Sequence, residues 1–442
     1  MIKLGGRIFF FLASLTLIVG VLGCNKPADP QNADEPSGSK EPVTLKFIWW
    51  GSDQRKEDTL KVIELYKKKH PHVNFETESL GGTDEVATQL AIATADQNTA
   101  DIIQADYSFI FNYINRDLIE PLDTYIADHR LNVSDMDPAY LAPGQKDELL
   151  YALPMGNNAQ SFFYNPAIFE KTGVAVPKEG YTIDDLHQTM VQLKTNMAEA
   201  DFYPLGNMID VNYYLRAEGV SMYKADGSGL GYEDDKVLTD YFTLYKQWVD
   251  EGLLIKNSVG SSKNNKDHPI VAGKTALFSG SSNNNTVLTK LAGSPIKLLP
   301  FPKTPSGQEG GWIKPSMLMA VSSYSKHKEE AVAFMDFFLN DPEANDILHG
   351  ERGVPASAAM ADQVAGQDPA AKEQVEFINY MKAHSKPLEP PNPSSHVVIN
   401  NAYQSALQKV LSGKLTPAEG AAEYRAQATE ILNMTNKGAA GK

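Results

Sequence analysis

Residues 149–166, Leu-Leu-Tyr-Ala-Leu-Pro-Met-Gly-Asn-Asn-Ala-Gln-Ser-Phe-Phe-Tyr-Asn-Pro, constrain the fold more than any other stretch. Leu149–Leu153 is short, apolar and aromatic and predicts a strand. Pro154 predicts its end, because proline lacks the backbone donor that a central strand needs. The polar Gly156-Asn157-Asn158 follows, then a second apolar run, Ser161–Tyr164, closed by Asn165-Pro166. A strand that stops at a polar patch and resumes suggests one chain passing from one lobe into another. A hairpin or a simple kink carries the same signals.

Length favours two lobes, since 442 residues exceed one typical domain and fit two α/β domains. The amino terminus stands apart. Lys3 and Arg7 precede an apolar run from Ile8 to Leu22, too short for a membrane span, so residues 1–23 read as a secretory signal. Cys24 follows it directly and is the only cysteine, which excludes an intramolecular disulfide and a cysteine-based metal cluster. Asn25–Glu41 is rich in Pro, Ala, Asp, Ser and Gly and reads as a flexible tether. Loss of residues 1–23 removes Lys3 and Arg7 and no acid, taking the net charge from −15 to −17. So acidic a body disfavours nucleic acid and anionic membrane surfaces as direct partners.

Along the chain, strands are predicted at 44–51, 73–78 and 101–106, with helices at 54–69 and 84–95 between them. Such alternation argues for a parallel sheet covered by helices. Thr182-Ile-Asp-Asp185 is a capping box opening a helix with Leu186, Met190, Leu193 and Met197 on one side. Helices are also predicted at 212–220 and 239–254, and a strand at 296–300. Ala331, Phe334, Met335, Phe338 and Leu339 form an amphipathic face that stops at Asp341-Pro342, and Thr416-Pro-Ala-Glu419 opens a last helix.

The run Tyr151–Pro177 resembles the extracellular solute-binding proteins of sugar ABC importers, the maltose-binding-protein-like family. Trp49-Trp50-Gly51, Pro71-His-Val73, Ala100-Asp-Ile-Ile103, Gly273-Lys-Thr-Ala276 and Arg352-Gly-Val-Pro-Ala-Ser357 resemble that family's pieces in the same order. The resemblance implies an α/β, two-lobed periplasmic-binding-protein-like fold with a hinge and an interlobe ligand cleft. Residues 43–153 and 315–365 would form lobe 1, and 160–311 and 370–442 lobe 2. The chain would cross between them at 154–160, 312–318 and 360–392. The function implied is capture of a carbohydrate, in particular an oligosaccharide, for delivery to an ABC importer permease by a monomer without cofactor, metal or catalysis. Val21-Leu22-Gly23-Cys24 resembles a lipobox, apart from Leu22, so Cys24 would receive diacylglycerol within residues 24–42 and anchor the protein outside the cytoplasm. Two alternatives remain open: an oligosaccharide hydrolase, and a binding protein that presents its ligand to a membrane sensor.

In open α/β sheets, ligands sit beyond the carboxyl ends of the strands. That rule selects Trp50, Ser52 and Asp53 after the first strand, and Asp106 and Tyr107 after the third. Each set joins an aromatic plate to a carboxylate, which suits the apolar face and hydroxyls of a sugar. Trp49 and Trp50 point to opposite faces, and Trp49 is assigned to the core. The resemblance adds Asn158 at the hinge, where several relatives carry an acid and where a turn asparagine is the plain alternative. It also adds Tyr214, from the pair Tyr213-Tyr214 of which one would be core, Asn283 in the polar run 281–285, and Trp312. Arg352 would fork onto ligand hydroxyls or a uronate carboxylate, unless it pairs with Glu351. Sequence motifs for a serine hydrolase, zinc protease, Walker loop or dinucleotide fold are missing. A glycosidase would need two opposed carboxylates, for which Asp53 and Asp106 are the available pair.

Overall fold

In the computed structural model, which describes residues 41–95, 99–255 and 266–440, strand β1 (Val43–Trp50) is the middle of a parallel trio. β2 (Val73–Leu80) lies on one side and β3 (Ile102–Ala105) on the other. Helices Asp53–Lys69 and Thr83–Ala95 make the crossovers, as the alternation predicts. Beyond them the sheet is mixed. A small hairpin, β4 (Gln145–Lys146) and β5 (Leu149–Leu150), leads into the long strand β6 (Ala152–Tyr164). After β7 (Tyr203–Leu205), β8 (Thr275–Ser281) and β9 (Lys297–Leu299), strand β10 (Ile313–Val321) returns and inserts antiparallel between β3 and β6.

The expected break at Pro154 does not occur: β6 runs through it for 13 residues. The reason lies across the ladder. Pro154 is paired with Leu318, beside a register shift between Met317 and Leu318 of β10, so the missing amide falls at an irregularity. Residues 152–159 pair with β10, whereas residues 160–164 pair with β8 and residues 162–164 also with β9. β7 continues the second sheet, parallel to β8. One strand thus serves two sheets.

The two faces of β6 differ. Leu153, Met155, Ala159 and Phe163 share one apolar core with Trp49, Met317 and Met319, and with Val375, Phe377, Ile378 and Met381 of helix Pro369–His384. This core is continuous behind both sheets. On the front face, Ala152 belongs to a core with Ile48, Ile103, Leu318 and Ala320. Phe162 belongs to another, with Leu205, Leu277, Leu299 and the apolar sides of helices Lys236–Asp250 and His396–Leu411. The expected crossing at 360–392 contains helices Ala358–Ala365 and Pro369–His384, and then an extended strap from Ser385 to the next helix at His396. Both capping boxes form, Thr182 with Asp185 and Thr416 with Glu419. Cys24 and the apolar run before it lie outside the described residues. Among the described residues no helix is long and apolar enough to cross a membrane.

The other edge of β6 is filled by a backbone bridge between Asn157 and Val354, with N–H···O distances of 2.7 and 3.0 Å. Two glycines permit this approach. A Cβ on Gly156 would stand 2.3 Å from the Arg352 carbonyl oxygen, and one on Gly353, whose φ is +103°, 2.3 Å from Asn158 Oδ1. Gly156→Ala is therefore expected to cost about 1–3 kcal/mol in urea unfolding, as overpacking against backbone does. Gly82→Ala, whose added methyl meets nothing within 4 Å, serves as the near-neutral control.

Candidate functional site

Alternation along β6 locates the cleft. On the front face, between Ala152 of one core and Phe162 of the other, stand Pro154, Asn158 and Gln160. Directly opposed residues of antiparallel strands share a face. Lys314 is opposite Asn158, and Ser281 is opposite Gln160. Trp312, two residues before Lys314, is half-buried and packs against the second core from this side. Asn158, Gln160, Ser281 and Lys314 therefore make a polar floor between two apolar bodies. Asn158 is buried, and its Oδ1 has no hydrogen-bond partner within the protein.

The expected contacts from the first sheet gather at the ends of β1 and β3. Trp50 is half-buried against the cores on both sides of its sheet, while Trp49 is fully buried in the rear core. Ser52 caps helix Asp53–Lys69 by accepting from the Arg55 amide at 3.2 Å, and Asp53 is exposed in its first turn. Asp106 caps helix Tyr107–Asn115 and accepts from the amide and the hydroxyl of Ser108. Tyr107 is buried and donates its hydroxyl to the Glu389 carbonyl oxygen at 2.9 Å; burial pushes its phenol up to about 12. On the other side, Asn283 is half-buried ahead of helix Asn284–Ala292, and its carbonyl accepts from Gln374 Nε2 at 3.4 Å.

The strap carries a second connection. Leu388 packs against the first front core, and the Glu389 carboxylate takes Arg216 at 3.0 Å and the Ser221 hydroxyl at 2.8 Å. Arg216 also donates to the carbonyl oxygens of Gly310, Lys386 and Pro387, and its guanidinium carbon lies 5.4 Å from the centre of the Trp312 ring. Trp312 is thus held from behind by a fully engaged cation.

Two expected contacts lie elsewhere. Tyr214 is 4% exposed and packs on Tyr241 at 5.2 Å inside the second front core, because the short helix Val211–Ala217 buries both tyrosines of its pair. Arg352 is 3% exposed and is turned to the rear. Its Nη2 donates to Thr59 at 2.8 Å and its Nε to Gln104 at 3.2 Å, and it lies over Phe338. Val354, two residues on, is paired with Asn157 and sits in the rear core, which fixes that direction. Burial, reinforced by Arg55, lowers the Arg352 guanidinium to about 9. Its Nη1 stands 3.8 Å from the Glu351 carboxylate, the pairing that the sequence offered as the alternative, and Glu351 is also gripped by two nitrogens of Arg55. Lys314 and Gln160 belong to no motif. The signal that finds them is the two-residue period counted from Trp312 and from Ala152. Among the described residues no group of three or more His, Cys, Asp or Glu could hold a metal ion.

The family model for bacterial extracellular solute-binding proteins matches residues 52–345. A protein of Brucella abortus described as a binding protein is 24% identical over 325 residues, 69% of this chain and 77% of its own. A family 1 extracellular solute-binding protein from Alicyclobacillus acidocaldarius superposes with a TM-score of 0.75 at 26% identity, over 89% of this chain and 99% of its own. A periplasmic oligogalacturonide-binding protein from Yersinia enterocolitica, in complex with saturated digalacturonic acid, does so with a TM-score of 0.71 at 23% identity, over 89% and 99%. The architecture is that of two-lobed periplasmic binding proteins.

The placement of Tyr214 is open to direct measurement. As a core residue, its replacement by alanine is expected to lower unfolding free energy by about 3–5 kcal/mol, the range for large aromatic truncations. A loss below about 1 kcal/mol in denaturant titration would return Tyr214 to the cleft wall.

Proposed function

The chain belongs to the bacterial extracellular solute-binding proteins, and on that premise we propose that it captures a carbohydrate between its lobes and delivers it to the permease of an ABC importer. One observation carries the proposal: the front face of β6 and β10 is polar only where it passes between two apolar cores. Hydroxyl-bearing ligands need donors and acceptors on the floor and flat apolar surface at the rims. Asn158, Gln160 and Ser281 supply the first, and Trp50 and Trp312 the second. The sugar bound by the Yersinia neighbour fits this reading. Hydrolysis is not part of it, in keeping with a family of solute-binding proteins.

Capture would work by population shift. The open form dominates without ligand, and contacts from both lobes favour the closed form that a permease recognises. The family places the protein outside the cytoplasm. In the proposal Cys24 carries the lipid that keeps it at the membrane, so Cys24→Ala should release the intact folded domain from the membrane fraction. Retention of that variant in the membrane, with no lipid mass on the wild-type amino terminus, would refute the anchor.

A thermal-shift screen of mono- and oligosaccharides, followed by calorimetry and small-angle scattering, tests the cleft. A saturating ligand should make the particle more compact. Trp50→Ala should weaken binding by roughly 5- to 150-fold, the equivalent of about 1–3 kcal/mol of stacked apolar area. Full affinity in a strongly destabilised Trp50→Ala protein would move the platform to Trp312.

A further inference from the structure

We infer that the cleft selects a saccharide carrying a carboxylate, a uronate-type sugar, and that Lys314 is the residue that reads this charge; the inference rests on the carbohydrate reading above. Lys314 is half-buried on the floor, opposite Asn158 in the β6–β10 ladder. Among the described residues its ammonium has neither a carboxylate nor a hydrogen-bond partner. The ammonium keeps its contact with solvent, so it stands on the floor as a hydrated, unpaired cation that an anionic group of the ligand can take up.

The other cations of the region are already committed. Arg216, behind Trp312, has Glu389 and three carbonyl oxygens. Arg55 grips Glu351 with two nitrogens, and Arg352 faces the rear core. Only Lys314 adds uncommitted positive charge to the floor residues named above. Its surroundings match one end of an acidic sugar. Trp312 offers a flat surface two residues away, and the half-buried Gln160, next along the same face from Asn158, offers its carboxamide to ring hydroxyls. The ammonium would form a charge-assisted hydrogen bond with the carboxylate. Overall charge makes this local feature necessary. With a net charge of −15 the protein repels anions at long range, so an anionic ligand needs a cation at the point of contact. A neutral sugar has no such need.

The test uses the mature protein and matched probes: di- and trisaccharides of galacturonate, glucuronate and mannuronate, each beside the neutral galactose, glucose or mannose oligosaccharide of the same linkage. Calorimetry should find at least one acidic member binding on the order of ten-fold or more tightly than its neutral partner, with the ratio shrinking as salt rises. Lys314→Gln should abolish that ratio, and Lys314→Arg should keep most of it, with both variants melting at the wild-type temperature. The inference is overturned if neutral members bind as tightly as acidic ones, or if the ratio survives Lys314→Gln because a first-lobe acid occupies the ammonium on closure. Either result leaves carbohydrate capture standing. Binding of no probe of either kind overturns both readings together.

Discussion

A buried strand must have every amide and carbonyl paired, and this requirement shapes the molecule around β6. In its first half the partners are β10 and the bridge at Val354; in its second half they are β8 and β9. The lobes are consequently joined by ladder hydrogen bonds rather than by a loose linker. The close backbone contact at Gly156 and Gly353 is a result of the same requirement, since a side chain at either position would push the bridging segment away. Pro154 survives within the strand only because β10 is irregular opposite it.

Pairing fixes the strands, and side-chain alternation then gives the molecule a closed back and a divided front. The rear core runs unbroken from Trp49 through Met155 and Ala159 to Phe163, covered across the junction by helix Pro369–His384. Opening this side would expose apolar surface, at roughly 25 cal/mol for each Å². The front loses nothing comparable when it opens, because its junction residues are polar and already suited to water. A closure of the proposed kind would therefore pivot at the rear and leave a free edge at the front. The strap adds a second restraint: Leu388 is anchored on one body while Glu389 holds Arg216 on the other.

Much of this was visible in the residues. The parallel trio, its crossover helices, both capping boxes and the amphipathic helix Lys328–Asn340 follow from local periodicity and end signals. Alternation sets Trp49 and Trp50 on opposite faces, and the nearness of Trp50 to the strand end leaves Trp49 to the core. What local signals could not show was pairing between distant segments. Pro154 reads as a terminator unless the bulge in β10 is known. Arg352 looks available until Val354 is paired with Asn157, which turns it to the rear. Tyr214 sits in a helix too short to show a periodicity, so nothing local separates a core aromatic from a cleft one. Lys314 was hidden for the same reason: its meaning depends on standing opposite Asn158.

The order of the strands also governs when the protein can fold. β3 and the first half of β6 touch only through β10, so the first sheet stays in two pieces until residue 321 is available. The second front core is completed by Ile399, Tyr403, Leu407, Tyr424 and Leu432, from the end of the chain. Neither lobe can close on a partial polypeptide, and contacts of such long sequence separation form slowly. The chain accordingly leaves the ribosome with neither lobe able to complete its packing until the last helices are made.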